Sequence, residues 1–197
     1  MYLFFDSETS GLPKRWNAPL TDLSNWPRLV QLAWIVCDES GTELERGYHL
    51  VYPDGFTIAP GATRQHGITT AFAREHGEPL AEVMDRFGES LDQVPTVVAH
   101  NVGFDLSVVG AEFLRLKRID QLSPGRRDLH DEGKHASLSL AGQVGFKWPT
   151  RELHRKLFDA DFRGGSRCVG RLRRMAEVLL STTRTLGAQG LVACRNA

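Results

Sequence analysis

Tyr2-Leu3-Phe4-Phe5-Asp6-Ser7-Glu8-Thr9-Ser10-Gly11 opens the chain and decides its reading. Four apolar residues run into two carboxylates spaced two apart. Side chains alternate along a strand, so positions i and i+2 point to one face. Asp6 and Glu8 therefore converge on one point. A sheet interior does not solvate paired carboxylates, and like charges this close repel. A positive group has to stand between them, and a hard cation held through oxygen is the natural candidate. The competing reading is a strand that frays into a polar turn at Gly11-Leu12-Pro13.

Outward from that strand, the pattern predicts a mixed α/β fold. Residues 2–6 read as a buried strand, Arg28 to Cys37 as a second and Glu45 to Tyr52 as a third. Asp38-Glu39-Ser40-Gly41 and Pro53-Asp54-Gly55 supply the turns of an antiparallel meander. Leu80, Val83, Met84, Phe87 and Leu91 repeat at helical spacing behind Pro79, predicting a helix over residues 79–92. Thr96 to Ala99 reads as a short buried strand and Leu106 to Ile119 as a second helix. A third helix is expected over Thr150 to Phe158. Three antiparallel strands followed by further strands, covered by helices, make a mixed sheet.

The 197 residues make one ordinary domain, and 41% hydrophobic with 24% charged residues suit a soluble globular protein. Neither a membrane span nor a signal peptide is recognisable. Cys37, Cys168 and Cys194 have no metal-site spacing and read as free thiols of a reducing cytoplasm. The net charge of zero hides an asymmetry. Of 24 basic and 24 acidic side chains, residues 163–197 hold seven arginines and the single acid Glu177, a net of +6. The rest holds 17 basic and 23 acidic side chains, a net of −6. A basic tail ordinarily points to nucleic acid or an acidic partner.

A second acidic site follows the fourth strand, in Ala99-His100-Asn101-Val102-Gly103-Phe104-Asp105. Asp105 at a helix start is favoured by the dipole and by capping alone. Together with Asp6 and Glu8 it can build one carboxylate cluster at a sheet edge.

Here the chain resembles the DEDDh family of 3′–5′ exonucleases, which have an RNase H-like fold and include proofreading subunits of bacterial replicative polymerases. Asp6-Ser7-Glu8-Thr9 with Gly11-Leu12 matches the first exonuclease motif, and His100 to Asp105 the second. Gln65-His66-Gly67-Ile68-Thr69 matches a segment between them. The resemblance covers residues 1 to about 165 and rests on both motifs in order, at family spacing and in the right structural context. It implies two-metal phosphodiester hydrolysis, with divalent ions about 4 Å apart activating water and stabilising the leaving 3′ oxygen. Asp6, Glu8 and Asp105 are then the catalytic metal ligands, for Mg²⁺ or Mn²⁺. Thr9 and Leu12 contact the terminal nucleotide, and His100, Asn101 and Phe104 shape the other side of the cleft. Local readings stand beside these: Thr9 as a turn cap, Phe104 as core. The implied partner is a single-stranded or frayed 3′ end. A polymerase partner has no recognisable binding segment to support it.

The family also needs a His base and a fourth acid, arranged as H-D-A-L-A-D after a Phe-x-Gly-Ala lead-in. Here Phe162-Arg163-Gly164-Gly165 is followed by Ser166-Arg167-Cys168-Val169-Gly170-Arg171. Ser166 stands in place of the base and Arg171 in place of the acid. His130, His135 and His154, with Asp159 and Asp161, lie outside the motif. One permitted choice of codons for Gly165 to Leu172 is GGC TCA CGA TGC GTT GGC CGA CTC. Read one base later they give Ala-His-Asp-Ala-Leu-Ala-Asp. A frameshift near residue 165 accounts for both the lost motif and the Arg-rich tail. On this reading residues 1–165 form the exonuclease domain, residues 166–197 are aberrant and partly disordered, and the literal chain is inactive or nearly so. The alternative is a non-catalytic nucleic-acid-binding module with a basic tail.

Overall fold

In a computed structural model, residues 1–118 are described in full and residues 136–139 as backbone. The sheet is built from β1 (Tyr2–Thr9), β2 (Leu29–Cys37), β3 (Glu43–Leu50), β4 (Thr96–Ala99) and β5 (Ala136–Ser139). Its order is β3-β2-β1-β4-β5. β1 and β2 pair antiparallel, as do β2 and β3, whereas β4 runs parallel to β1 and β5 parallel to β4. The acid-bearing strand is thus central, and every residue of β1 after Tyr2 is buried.

The meander and the fourth strand form as the sequence predicts, with shifted ends. β1 continues past Asp6 to Thr9 because β2 pairs with it along its whole length, Asp6 opposite Ala33 and Glu8 opposite Gln31. A register shift between Glu8 and Thr9 ends the regular ladder. Such irregularities bend a strand and re-aim its side chains.

Two short helices lie where the sequence reading left an unassigned stretch: α1 (Pro60–His66) and α2 (Thr70–His76). α1 buries no residue and α2 only Ala73, so neither carries the apolar stripe by which helices are recognised. α1 ends at Gly67, whose φ of 85° lies in the left-handed region that glycine adopts without strain. α3 (Leu80–Asp92) matches its prediction and buries Val83, Met84, Phe87 and Leu91. α4 (Val102–Arg115) starts four residues before the predicted Leu106, so Asp105 sits in its first turn.

The main core lies between the sheet and α3 and α4. Leu3 and Phe5 of β1 meet Trp34 and Val36 of β2, Phe87 and Leu91 of α3, and Leu106, Val109 and Phe113 of α4. Phe87 packs between two rings, 5.5 Å from Phe5 and 5.4 Å from Trp34. Gly47 of β3 is required by this packing, since a Cβ there would stand 2.2 Å from the Trp34 ring. Glu112 is buried in α4 and ties it to β2, accepting from Arg28 Nε and from the Leu29 N–H, each at 2.9 Å. Among the described residues no helix is long and apolar enough to cross a membrane. The expected helix over Thr150 to Phe158, the lead-in at Phe162, the disordered tail and the boundary at residue 165 lie outside the described residues.

Candidate active site

The C-terminal end of β1, the start of α4 and the N-terminal part of α1 enclose a cleft of about 650 Å³. All eight residues singled out in the sequence line it: Asp6, Glu8, Thr9, Leu12, His100, Asn101, Phe104 and Asp105. The three acids are nearly inaccessible, with exposures of 3% for Asp6, 8% for Glu8 and 4% for Asp105.

Ser7 joins the two halves of the site. Its Oγ donates to Asp105 Oδ1 at 2.6 Å and its backbone N–H to the same oxygen at 3.3 Å. A hydroxyl on a carboxylate at that distance is a strong, charge-assisted bond. It fixes the first turn of α4 against the strand that carries Asp6 and Glu8, across 98 positions of sequence. Ser7 has no place among the expected site residues. The signal for it was its position between the two acids, on the opposite face of the strand, toward α4.

The loop after β1 is equally defined. Thr9 Oγ1 donates to the Gly11 carbonyl at 2.7 Å, which is the turn-capping role weighed for it. The Ser10 carbonyl accepts the Ala59 N–H at 2.9 Å and so places α1 at the cleft wall. His66 at the end of α1 lines the cleft as well. The Ile68 N–H donates to its Nδ1 at 3.1 Å, which leaves the proton on Nε2, 3.3 Å from the Thr9 carbonyl. With both ring nitrogens committed to backbone, His66 braces the site and has no free nitrogen to act as a base. Leu12 is 75% exposed at the rim, as a residue that meets a ligand rather than the core. Phe104 is half-buried; it packs on the main core and also touches the Trp16 ring, at 5.6 Å between centroids.

Among the described residues, no three His, Cys, Asp or Glu side chains stand close enough to form a metal site. Asp105 is turned to Ser7 while Asp6 and Glu8 share the strand. The donor set nonetheless suits a hard divalent cation in kind, being three carboxylates and no sulfur. The positions aligned with the family's base and fourth acid, Ser166 and Arg171, lie outside the described residues.

The mixed sheet with its covering helices has the RNase H-like fold of solved exonuclease structures. A model of the exonuclease family RNase_T matches residues 3–158, and the chain belongs to that DEDDh-type family. Escherichia coli exonuclease I in complex with a dT13 oligonucleotide superposes with a TM-score of 0.68 at 21% identity, over 92% of this chain and 40% of that one. The zinc-bound form of the E. coli enzyme with single-stranded DNA gives 0.67 at 22%, over 98% and 42%. A moderately thermophilic exonuclease I from Methylocaldum szegediense gives 0.67 at 20%, over 96% and 41%. At these identities the likeness is one of fold. The chain spans about two fifths of the length of the exonuclease I chains it matches. No curated protein sequence matches it.

Proposed function

We propose that this fold is a 3′–5′ exonuclease domain acting on single-stranded or frayed nucleic-acid ends. The observation that carries the proposal is that Asp6, Glu8 and Asp105 line one cleft together with Thr9, Leu12, His100, Asn101 and Phe104. Asp6, Glu8 and Asp105 would hold Mg²⁺ or Mn²⁺. Bound in pairs, such ions activate a water and stabilise the leaving 3′ oxygen. Leu12 and Phe104 offer apolar surface to the terminal base or sugar from opposite sides of the cleft. Asn101, exposed at the first turn of α4, offers hydrogen bonds beside them. Ser7 holds Asp105 in place.

The chemistry lacks two parts in the literal chain. Ser166 is no base near neutral pH, and a cation at Arg171 opposes a metal. Losing a general base alone typically costs about 10²–10⁴-fold in rate. We therefore propose that the 197-residue product hydrolyses slowly or not at all, and that residues from about 165 onward are out of frame. The test compares the double change Ser166→His and Arg171→Asp with the frame-restored sequence, which carries His and Asp at those positions. Mg²⁺-dependent release of mononucleotides from the 3′ end, abolished by Asp6→Asn, supports the proposal. Salt-sensitive oligonucleotide binding with no hydrolysis in any variant overturns it in favour of a binding module that uses Arg171, Arg173 and Arg174. Sequencing the gene across codons 160–172 tests the frame directly: no CAC or CAT across the Ser166–Arg167 junction excludes the shift.

A further inference from the structure

Beside the acidic cleft lies a second hollow of about 330 Å³, lined by Trp16, Trp26, Asn101, Gly103, Phe104 and Ser107 among others. Asn101 and Phe104 belong to both. Trp16 forms its outer wall and is 61% exposed.

An exposed tryptophan on a loose loop would be ordinary, but this loop is tightly held. The buried Asn25 side chain clasps the backbone of Arg15, accepting its N–H at 2.7 Å and donating to its carbonyl at 3.0 Å. Trp26 is buried and donates Nε1–H to the Pro19 carbonyl at 3.1 Å. Arg115 of α4 reaches across to the carbonyls of Leu23 and Trp26, at 2.6 and 2.8 Å. Arg15 pairs with Asp22 at 3.1 Å. Residues 14–26 are thus braced from within and from α4, and of the segment's two tryptophans Trp16 is left in water. Its ring leans on Phe104 at 5.6 Å and 53°. Among the described residues no parallel ring covers either face, and the segment carries Lys14 and Arg15 next to it.

We infer that Trp16, with Phe104, is a stacking platform for an unpaired nucleobase adjacent in the strand to the nucleotide in the acidic cleft. The inference rests on the proposed function and adds to it a second base-binding position, which favours single strands over duplex. A flat aromatic accepts any base, because every base has a π-face. The braced loop holds the ring in place before binding, so little ordering is required when the strand arrives. A paired base has its faces occupied by its neighbours in the stack, so a duplex cannot use this position without fraying.

The test is equilibrium binding of the full-length chain to short 5′-labelled oligo(dT), read by fluorescence anisotropy in EDTA so that no strand is cut. One abasic residue is moved stepwise inward from the 3′ end. The unaltered chain should lose about 5- to 150-fold in affinity when the abasic residue falls on the platform, the range for one base–aromatic stack. Trp16→Ala should lose the same factor on intact oligo(dT) and become indifferent to the abasic residue at that position. Trp16→Phe should keep most of the affinity. Equal binding by wild type and Trp16→Ala, or an abasic penalty confined to the terminal position, overturns the platform and leaves the exonuclease proposal standing. No binding of oligo(dT) by the unaltered chain overturns both. The abasic scan needs no variant, so a folding defect cannot mask the answer.

Discussion

Replacing Glu112 tests how the site is held together. Glu112 is completely buried in α4. It accepts from Arg28 Nε at 2.9 Å and from the Leu29 N–H at 2.9 Å, and pairs with Arg115 at 3.1 Å. Glu112→Ala leaves the Leu29 N–H without an acceptor, a cost of about 1–3 kcal/mol. It also strips Arg28 and Arg115 of their counter-charge. Breaking a fully buried pair costs about 3–5 kcal/mol. Arg28 is partly solvated and lies over the Phe56 ring at 4.7 Å, and Arg115 keeps its two carbonyl partners, so the loss falls at the low end. Because one carboxylate serves both partners the two costs overlap, and the expected destabilisation is about 3–4 kcal/mol. That is a large share of the roughly 5–15 kcal/mol of a typical domain, and equals about 6–16 °C in Tm. Glu112→Gln keeps an acceptor for Leu29 and should lose less, about 1–2 kcal/mol. Urea and thermal unfolding followed by circular dichroism at pH 7 measure both. A loss under 1 kcal/mol for Glu112→Ala would refute the view that this carboxylate fastens α4, and with it Asp105, to the sheet.

Ser7→Ala removes the charge-assisted bond to Asp105 and should cost about 1.5–3 kcal/mol in urea unfolding. In a frame-restored chain it should also lower kcat, while Ser7→Thr preserves the hydroxyl; equal behaviour of the two variants would remove Ser7 from the site. Gly47→Ala forces the buried Trp34 ring to shift and should cost about 1–3 kcal/mol, read as a lower urea midpoint; an unchanged midpoint would mean the ring has room to move. Burial pushes the Glu78 carboxyl up, but its hydrogen bonds with Arg86 and His49 outweigh that and hold it below its ordinary value of 4.5. A lowered folded-state value means that the contribution is fully present above about pH 4.5 and is lost as pH falls through the lowered value. Unfolding curves of wild type and Glu78→Gln should therefore converge as pH drops below 4.5, and a constant gap would contradict the assignment. The Cys37 thiol, buried in β2 and beside Glu43 and Asp38, is pushed up to about 11 and should react with a thiol reagent only on unfolding.

Much of the site was legible because its signals are local. Asp6 and Glu8 need only strand alternation to share a face, and Asp105 needs only a strand-to-helix junction. Phe104 followed from the same short motif, though its contact with Trp16 did not. The parts that were not legible depend on contacts distant in sequence. α1 and α2 bury almost nothing, so no periodicity marks them. The last turn of strand before Ser10 looks polar and frayed until β2 is laid beside it. The early start of α4 was hidden by Gly103, which reads as loop in isolation.

By itself the order of residues determined the acidic strand, the meander and the two packed helices. Those follow from alternation, periodicity and charge, which act over a few residues. Only the tertiary structure decided that Ser7 joins β1 to α4, that His66 has no nitrogen to spare, and that a braced loop holds Trp16 over the hollow beside the cleft. Ser7 and Trp16 depend on packing against α4 and His66 on the return of α1 to the end of β1, and chain distance carries no trace of such meetings.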